Sequence, residues 1–224
     1  MRGGRRKLPV LAEISGPPPG ETRAWALRRA DLEALAKLQA GLEEHRAVLV
    51  SGAEGLAGAI ALAGAASAAG RRTALVECDL ARPRLARELG LAPAPGLHEY
   101  LRWEATAAEL LQPLILAGPA AAGAEGPLIC VVAGRPATDA ATLVNLESFR
   151  HALAKLRGAY DLVVLAAPAP DSEDGSLVAI AAQADALLAA VPPAAAAGRS
   201  GRGLRGALRG LPVEVRGAIL VGAG

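Results

Sequence analysis

The stretch Arg46-Ala-Val-Leu-Val-Ser-Gly-Ala-Glu-Gly-Leu-Ala-Gly-Ala-Ile-Ala61 decides the fold. It reads as a buried strand over Ala47–Ser51, a glycine-rich turn, and a helix over Leu56–Ala69. In an α/β nucleotide-binding domain, this strand–turn–helix order is where the backbone cradles phosphate. A working loop also needs a Lys for the phosphates and a Ser or Thr for Mg²⁺. Neither stands here. Setting Ala53-Glu54-Gly55 on a G-E-G turn puts Leu56 at the Lys position and Ala57 at the hydroxyl position. Counting the motif from Gly52 puts Gly58 and Ala59 there instead. The chain's lysines are Lys7, Lys37 and Lys155, all remote from the turn in sequence.

Outward from this stretch, strand and helix patterns alternate. Further strands are expected at Thr73–Glu77, Leu128–Ala133, Asp161–Leu165, Ala186–Val191 and Arg216–Val221, with a short one at 114–116. Helices are expected at Arg84–Leu89, His98–Trp103, Ala107–Leu111, Ala140–Leu156, Ser176–Ala182 and Gly203–Arg209. Most strands are apolar throughout, as when helices cover both faces of a parallel sheet. The expected fold is α/β: a doubly wound, mostly parallel sheet flanked by helices, three layers in all. Residues 1–20 read as a basic, then Pro/Gly-rich arm, because Gly16-Pro-Pro-Pro-Gly20 excludes helix. Residues 21–224 read as one domain that opens with a helix over Glu21–His45.

Composition narrows the function. The apolar fraction is 52%, largely alanine, and Trp25, Trp103, Tyr100, Tyr160 and Phe149 are all the aromatics. So few rings argue against base-stacking nucleic-acid platforms. A net charge of +2 gives no strong hint of a partner. Cys78 and Cys130 sit in apolar runs and read as buried free thiols of a reducing compartment. The basic start is not followed by an uninterrupted apolar run, so a soluble, cytoplasmic protein is expected. His45, His98 and His151 show no metal-ligand spacing with the cysteines. No serine lies in a nucleophile-elbow pattern.

In such sheets ligands bind at the carboxyl ends of the strands. There the chain resembles the bacterial tyrosine kinases of capsule and exopolysaccharide synthesis (CpsD/CapB type), relatives of P-loop ATPases. The resemblance runs from about Leu8 to Val221. It rests on Leu8-Pro-Val-Leu-Ala-Glu-Ile14, on Glu77-Cys-Asp-Leu-Ala-Arg-Pro83 beside a D-x-D-L-R-x-P motif, and on the pattern over Leu85–Leu101. Val132-Ala-Gly-Arg-Pro136 and Tyr160-Asp-Leu-Val-Val-Leu165 complete it.

The resemblance implies ATP and Mg²⁺ as ligands, and this chain departs from it where they would bind. The degenerate phosphate loop is Ser51, Gly52, Ala53, Glu54, Gly55, Leu56 and Ala57. The strand-end Asp falls at Ala166, and the second proline of the following pair at Ala169. What remains is Glu77 and Asp79, with Asp79 as a remnant Mg²⁺ ligand, and Arg82 as a cation near phosphate. The bland reading of the acids is a solvated strand-end pair, or a helix cap at Asp79. Losing the Lys contact alone costs about 1.5–3 kcal/mol, roughly ten- to a hundredfold in affinity.

The expected protein is a pseudoenzyme with no resident cofactor, ATP and Mg²⁺ being what residual binding would take. The resemblance implies a regulator or scaffold of exopolysaccharide assembly, peripheral at the inner membrane face. Its partners would be a membrane chain-length (copolymerase) protein or a competent kinase paralogue, in a homo- or hetero-oligomer. The family's assembly helix carries E-x-x-R-x-x-R, where this chain offers Trp25, Arg28 and Asp31. Two alternatives stand beside this reading. One is a divergent ATPase or kinase that uses Arg82 or a partner's lysine. The other is an adaptor that binds an anionic surface through Arg199, Arg202, Arg205 and Arg209.

Overall fold

A computed structural model describes residues 8–16, 27–115, 120–121, 124–173, 175–196 and 198–222. In chain order the strands are β1 (Val10–Ser15), β2 (Ala47–Ser51), β3 (Thr73–Glu77), β4 (Gln112–Leu114), β5 (Leu128–Val131), β6 (Leu162–Ala166), β7 (Ala186–Val191) and β8 (Glu214–Gly222). The helices are α1 (Arg29–Ala40), α2 (Gly55–Ala68), α3 (Leu85–Leu89), α4 (Leu97–Leu101), α5 (Ala107–Leu110), α6 (Ala140–Asn145), α7 (Glu147–Ala159), α8 (Ser176–Ala181), α9 (Pro193–Ala196) and α10 (Gly198–Arg209).

The strands form one sheet in the order β1-β8-β7-β2-β6-β3-β5-β4. All pairings are parallel except β4 with β5. This is the doubly wound α/β sheet expected from the alternating pattern. Central strands β2, β3, β6 and β7 are buried along their whole length. That is why they read as continuous apolar runs with no alternation. Val48 and Val50 face one core layer with α1 and α2, while Leu49 faces the other with Leu97, Phe149, Leu153 and Ile180.

Helix α2 is buried almost all round and made chiefly of Ala and Gly. Small residues let it lie close to the sheet: a Cβ on Gly58 would stand 2.6 Å from the Cβ of Ala190. At the opposite end of the sheet, Asp185 accepts N–H bonds from Arg46 (2.9 Å) and Ala47 (2.8 Å) and pairs with Arg157. This carboxylate ties the start of β2 to the start of β7. Burial pushes its pKa up, but the bond from Ala47 and the Arg157 guanidinium outweigh that, and it lies below the ordinary value.

The structure differs from expectation at several places. Val10–Ser15, expected to be part of an extended arm, is an edge strand of the sheet paired with β8. Residues 1–7 and 17–26, which hold the basic run, the proline tract and the start of the expected first helix, lie outside the described residues. The helix itself covers Arg29–Ala40. The single helix expected over Ala140–Leu156 is two, because Leu146 is extended (φ −66°, ψ 150°). The short strand is Gln112–Leu114, two residues earlier than expected. Among the described residues, no helix is long and apolar enough to cross a membrane.

Candidate functional site

The candidate site lies where β2, β3, β6 and β7 end. β2 stops at Ser51 and α2 starts at Gly55, so only Gly52, Ala53 and Glu54 join them. In the G-x-x-x-x-G-K-[ST] pattern a longer run between the glycines wraps the phosphate. Here Gly52 and Gly55 are separated by Ala53 and Glu54 alone. The turn is tight: Gly52 has φ +132°, and a Cβ on it would meet the Ala190 carbonyl oxygen at 2.3 Å.

Two N–H groups at the end of the turn bond within the protein. Glu54 N–H donates to the Ala190 carbonyl (3.0 Å) and Gly55 N–H to that of Gly52 (2.9 Å). The Ser51 hydroxyl is fully buried and donates to the Pro168 carbonyl (2.6 Å), which joins the ends of β2 and β6. Ser51 is thus a structural tie and is not placed to meet a ligand.

Geometry chooses between the two motif registers. Leu56 and Ala57 line a small cleft of about 170 Å³ with Glu54, Arg84 and Glu88. Gly58 and Ala59 turn toward the sheet, and Gly58 has no room for a side chain. The positions where Lys and Ser/Thr would act are therefore Leu56 and Ala57. A second cleft of about 640 Å³ opens between Gly52–Ala53, Ala169–Asp171 and the Gly203–Ala207 face of α10. Asp171 is the one charged side chain among its described lining residues. A polyphosphate across these clefts meets Glu54, Glu88 and Asp171, with Arg84 the one cation among the described lining residues and no lysine.

The strand-end acids have other tasks. Glu77 is 1% exposed. Its Oε1 accepts N–H bonds from Arg84 (2.5 Å) and Leu85 (2.8 Å), and its Oε2 accepts one from Ala133 (3.1 Å). It fastens the end of β3 to the start of α3 and to the chain leaving β5. Burial pushes its pKa above the ordinary value, the three N–H bonds pull it back, and Asp79 nearby adds to the rise. The expectation of a solvated strand-end acid gives way to this structural role, because Glu77 is buried and donors meet both of its oxygens.

Asp79 does not cap a helix. Its Oδ1 accepts the Arg82 N–H (3.1 Å), and its Oδ2 lies 3.5 Å from the Arg82 guanidinium. Arg82 in turn donates to the Ser172 hydroxyl (3.1 Å). The residue expected to meet phosphate and the one expected to meet Mg²⁺ thus neutralise each other. Ala166 at the end of β6 pairs in register with Glu77 and offers no carboxylate. Among the described residues, no group of three His, Cys, Asp or Glu side chains is arranged to hold a metal ion.

The cysteines are inert as nucleophiles. Burial pushes the Cys78 thiol far up, with Glu77 and Asp79 adding to it, and pushes Cys130 up to about 12. A network that the sequence pattern did not reveal lies beside the exit of β5. Glu99 accepts N–H bonds from Gly96 (2.8 Å) and from the Arg135 backbone (3.1 Å) and side chain (2.8 Å). His98 Nδ1 lies 2.6 Å from the Arg135 carbonyl, while its Nε2 accepts from Arg102 (2.7 Å), so Nδ1 carries the proton. Arg102 also pairs with Asp139. The signal was present as His98-Glu99 opening a short helix and Arg135 just past a strand, but nothing local couples them. In the expected assembly motif, Trp25 lies outside the described residues. Asp31 is buried, accepting the Ser15 and Arg28 N–H groups (3.0 and 3.2 Å).

No family model matches the chain, and no curated protein matches it. Solved structures do. The chimerical protein CapA2B2 superposes with a TM-score of 0.76 at 14% identity, covering 95% of this chain and 93% of its own. The kinase domain of the Escherichia coli tyrosine kinase ETK gives 0.75 at 17%, covering 96% and 91%. The septum site-determining protein MinD of Pyrococcus horikoshii, solved with Mg-ADP, gives 0.55 at 18%, covering 78% and 69%. The chain therefore has the fold of the bacterial tyrosine-kinase domains, a P-loop NTPase-type sheet, over nearly its whole length.

Proposed function

We propose that this protein is a non-catalytic member of the P-loop fold that regulates or scaffolds exopolysaccharide or capsule assembly. Its partner would be a membrane chain-length protein or a kinase of the same fold that retains its lysine. One observation carries the non-catalytic reading: the phosphate loop is reduced to three residues, and the N–H groups of its last residue, Glu54, and of the first helical residue, Gly55, bond within the protein. The missing lysine and hydroxyl at Leu56 and Ala57, and the closure of Asp79 by Arg82, support it. The fold shared with tyrosine-kinase domains such as ETK and the BceF tyrosine kinase domain supports the pathway.

The loop also explains why the loss is not one of side chains alone. Charge-assisted bonds to phosphate contribute about 1.5–3 kcal/mol each. The nest of backbone N–H groups that orients a polyphosphate is a separate contribution, and here the turn is too short to form it. The first turn of α2 retains a helix N-terminus that attracts anions, opposed by Glu54 beside it.

The reading is tested by titrating ATP and ADP into the purified chain, with and without Mg²⁺, by calorimetry. No heat up to millimolar nucleotide is expected. Micromolar, Mg²⁺-dependent binding would sink the reading and favour a divergent ATPase or kinase. The scaffold role is tested by co-purification with a chain-length protein and kinase encoded beside it. Capture of neither removes that half of the proposal.

A further inference from the structure

Basic charge in this chain is concentrated in two stretches that hold no acid. Residues 1–12 carry Arg2, Arg5, Arg6 and Lys7, and residues 186–213 carry Arg199, Arg202, Arg205 and Arg209. These are eight of the 24 basic residues and none of the 22 acidic ones, which leaves 16 basic against 22 acidic residues elsewhere. A nearly neutral total thus conceals a polarised molecule.

The fold brings the described end of the first stretch, Leu8 and Pro9, to α10. Leu8 and Pro9 line a cleft of about 350 Å³ together with Arg205, Leu208 and Arg209 of α10 and Val213 and Val215 beside it. Parallel pairing of β1 with β8 holds the N-terminal segment there. Arg2 to Lys7, and the side chain of Arg199, lie outside the described residues; in the chain the first run directly precedes Leu8.

Within the described residues the cleft combines aliphatic side chains with the guanidinium groups of Arg205 and Arg209. Arg202, Arg205 and Arg209 recur at helical spacing, and Arg202 and Arg209 are exposed. Past Pro9 the strand presents Val10, 51% exposed, and Leu11, 36% exposed.

Arginines beside exposed aliphatic groups suit a surface with phosphate outside and hydrocarbon just beneath. A polynucleotide offers the phosphate without the hydrocarbon, and its bases call for aromatic platforms. None of the chain's aromatic residues lies in either stretch.

We propose that this corner, formed by α10, the start of β8 and the segment around Leu8–Leu11, docks on a bilayer carrying anionic phospholipid. Arg202, Arg205 and Arg209 lie at headgroup level, and Val10, on the sheet face that α10 covers, meets the acyl boundary. This surface works without nucleotide, so its failure and that of the non-catalytic reading are separate results.

The test is sedimentation of the full chain with vesicles. One set is an equal mixture of phosphatidylcholine and phosphatidylglycerol, and the other is phosphatidylcholine alone. Binding is expected to the anionic set only and to fall with salt. Arg202→Gln/Arg209→Gln, with folding checked by circular dichroism, should weaken it about 30-fold, at about 1 kcal/mol per basic residue. Val10→Ser should weaken it several-fold further. Equal or absent binding to the two vesicle sets overturns the proposal, as does a folded arginine variant that binds like the parent. Displacement by duplex DNA with no effect of Val10→Ser would assign the patch to a polynucleotide instead.

Discussion

Replacing Glu77 separates a structural carboxylate from a relic of metal chemistry. Its Oε1 holds the Arg84 and Leu85 N–H groups and its Oε2 holds that of Ala133, with the glutamate itself 1% exposed. Glu77→Gln preserves the shape, but its NH₂ group must face an N–H donor in either orientation. One N–H···O bond is lost, and a donor is left unmatched. The expected cost is about 1.5–3 kcal/mol, or about 3–12 °C in Tm for a domain of this size. Glu77→Ala leaves all three donors unmatched and should cost about 3 kcal/mol or more.

The assay is thermal and urea unfolding of the parent and both variants, with and without Mg²⁺. The pH dependence has a definite sign. The folded pKa is raised above the unfolded value, so this carboxyl's contribution is fully present below the unfolded value. It is lost as the pH rises through the folded value, so the parent's advantage over Glu77→Gln should narrow from about pH 4 upward. If both variants match the parent without metal, while Mg²⁺ raises the Tm of the parent alone, the structural reasoning is refuted and a metal site is indicated.

Three further outcomes are expected. Grafting Leu56→Lys/Ala57→Thr should not restore ATP binding by calorimetry, because the three-residue turn still lacks the backbone nest; micromolar affinity in that variant would show that side chains alone were missing. Gly52→Ala should lower stability to urea by about 2 kcal/mol or more, because φ is +132° and the new Cβ would meet the Ala190 oxygen at 2.3 Å. Asp185→Asn should cost about 1–2 kcal/mol at neutral pH. Because the folded pKa of Asp185 is depressed, its stabilisation is present above the unfolded value and lost as the pH falls through the folded one. The difference between variant and parent should therefore vanish in acid unfolding curves, and a constant gap at all pH values would contradict the assignment.

The sheet was largely legible in the sequence because six of its strands are apolar runs bounded by Gly, Pro or charged residues. β2, β3 and β7 match their expected bounds. β1 was not legible because it is an edge strand behind Pro9 and owes its place to β8, some 200 residues away. The break in the helix after Asn145 depends on Leu146 leaving helical geometry, which no breaker residue announces. At the site, the missing lysine was readable from residue types alone. The inward turn of the loop was not, since it depends on the Ala190 carbonyl of a strand far along the chain. Glu77 and Asp79 looked alike as acids at a strand end. Their difference comes from Ala133 and Arg84 donating to one and the Arg82 guanidinium pairing with the other.

The pairing of β1 with β8 also sets a timetable for the newborn chain. At about 5–20 residues per second, the ribosome takes roughly 10–40 s to deliver the partner of the first strand. Through that interval Val10–Ser15 has no neighbour on which to form its ladder. Glu13, a charge inside an otherwise aliphatic segment, interrupts what would be a ready template for other nascent chains. The edge strand is thus enlisted only once β8 has emerged, and its lone acid guards it until then.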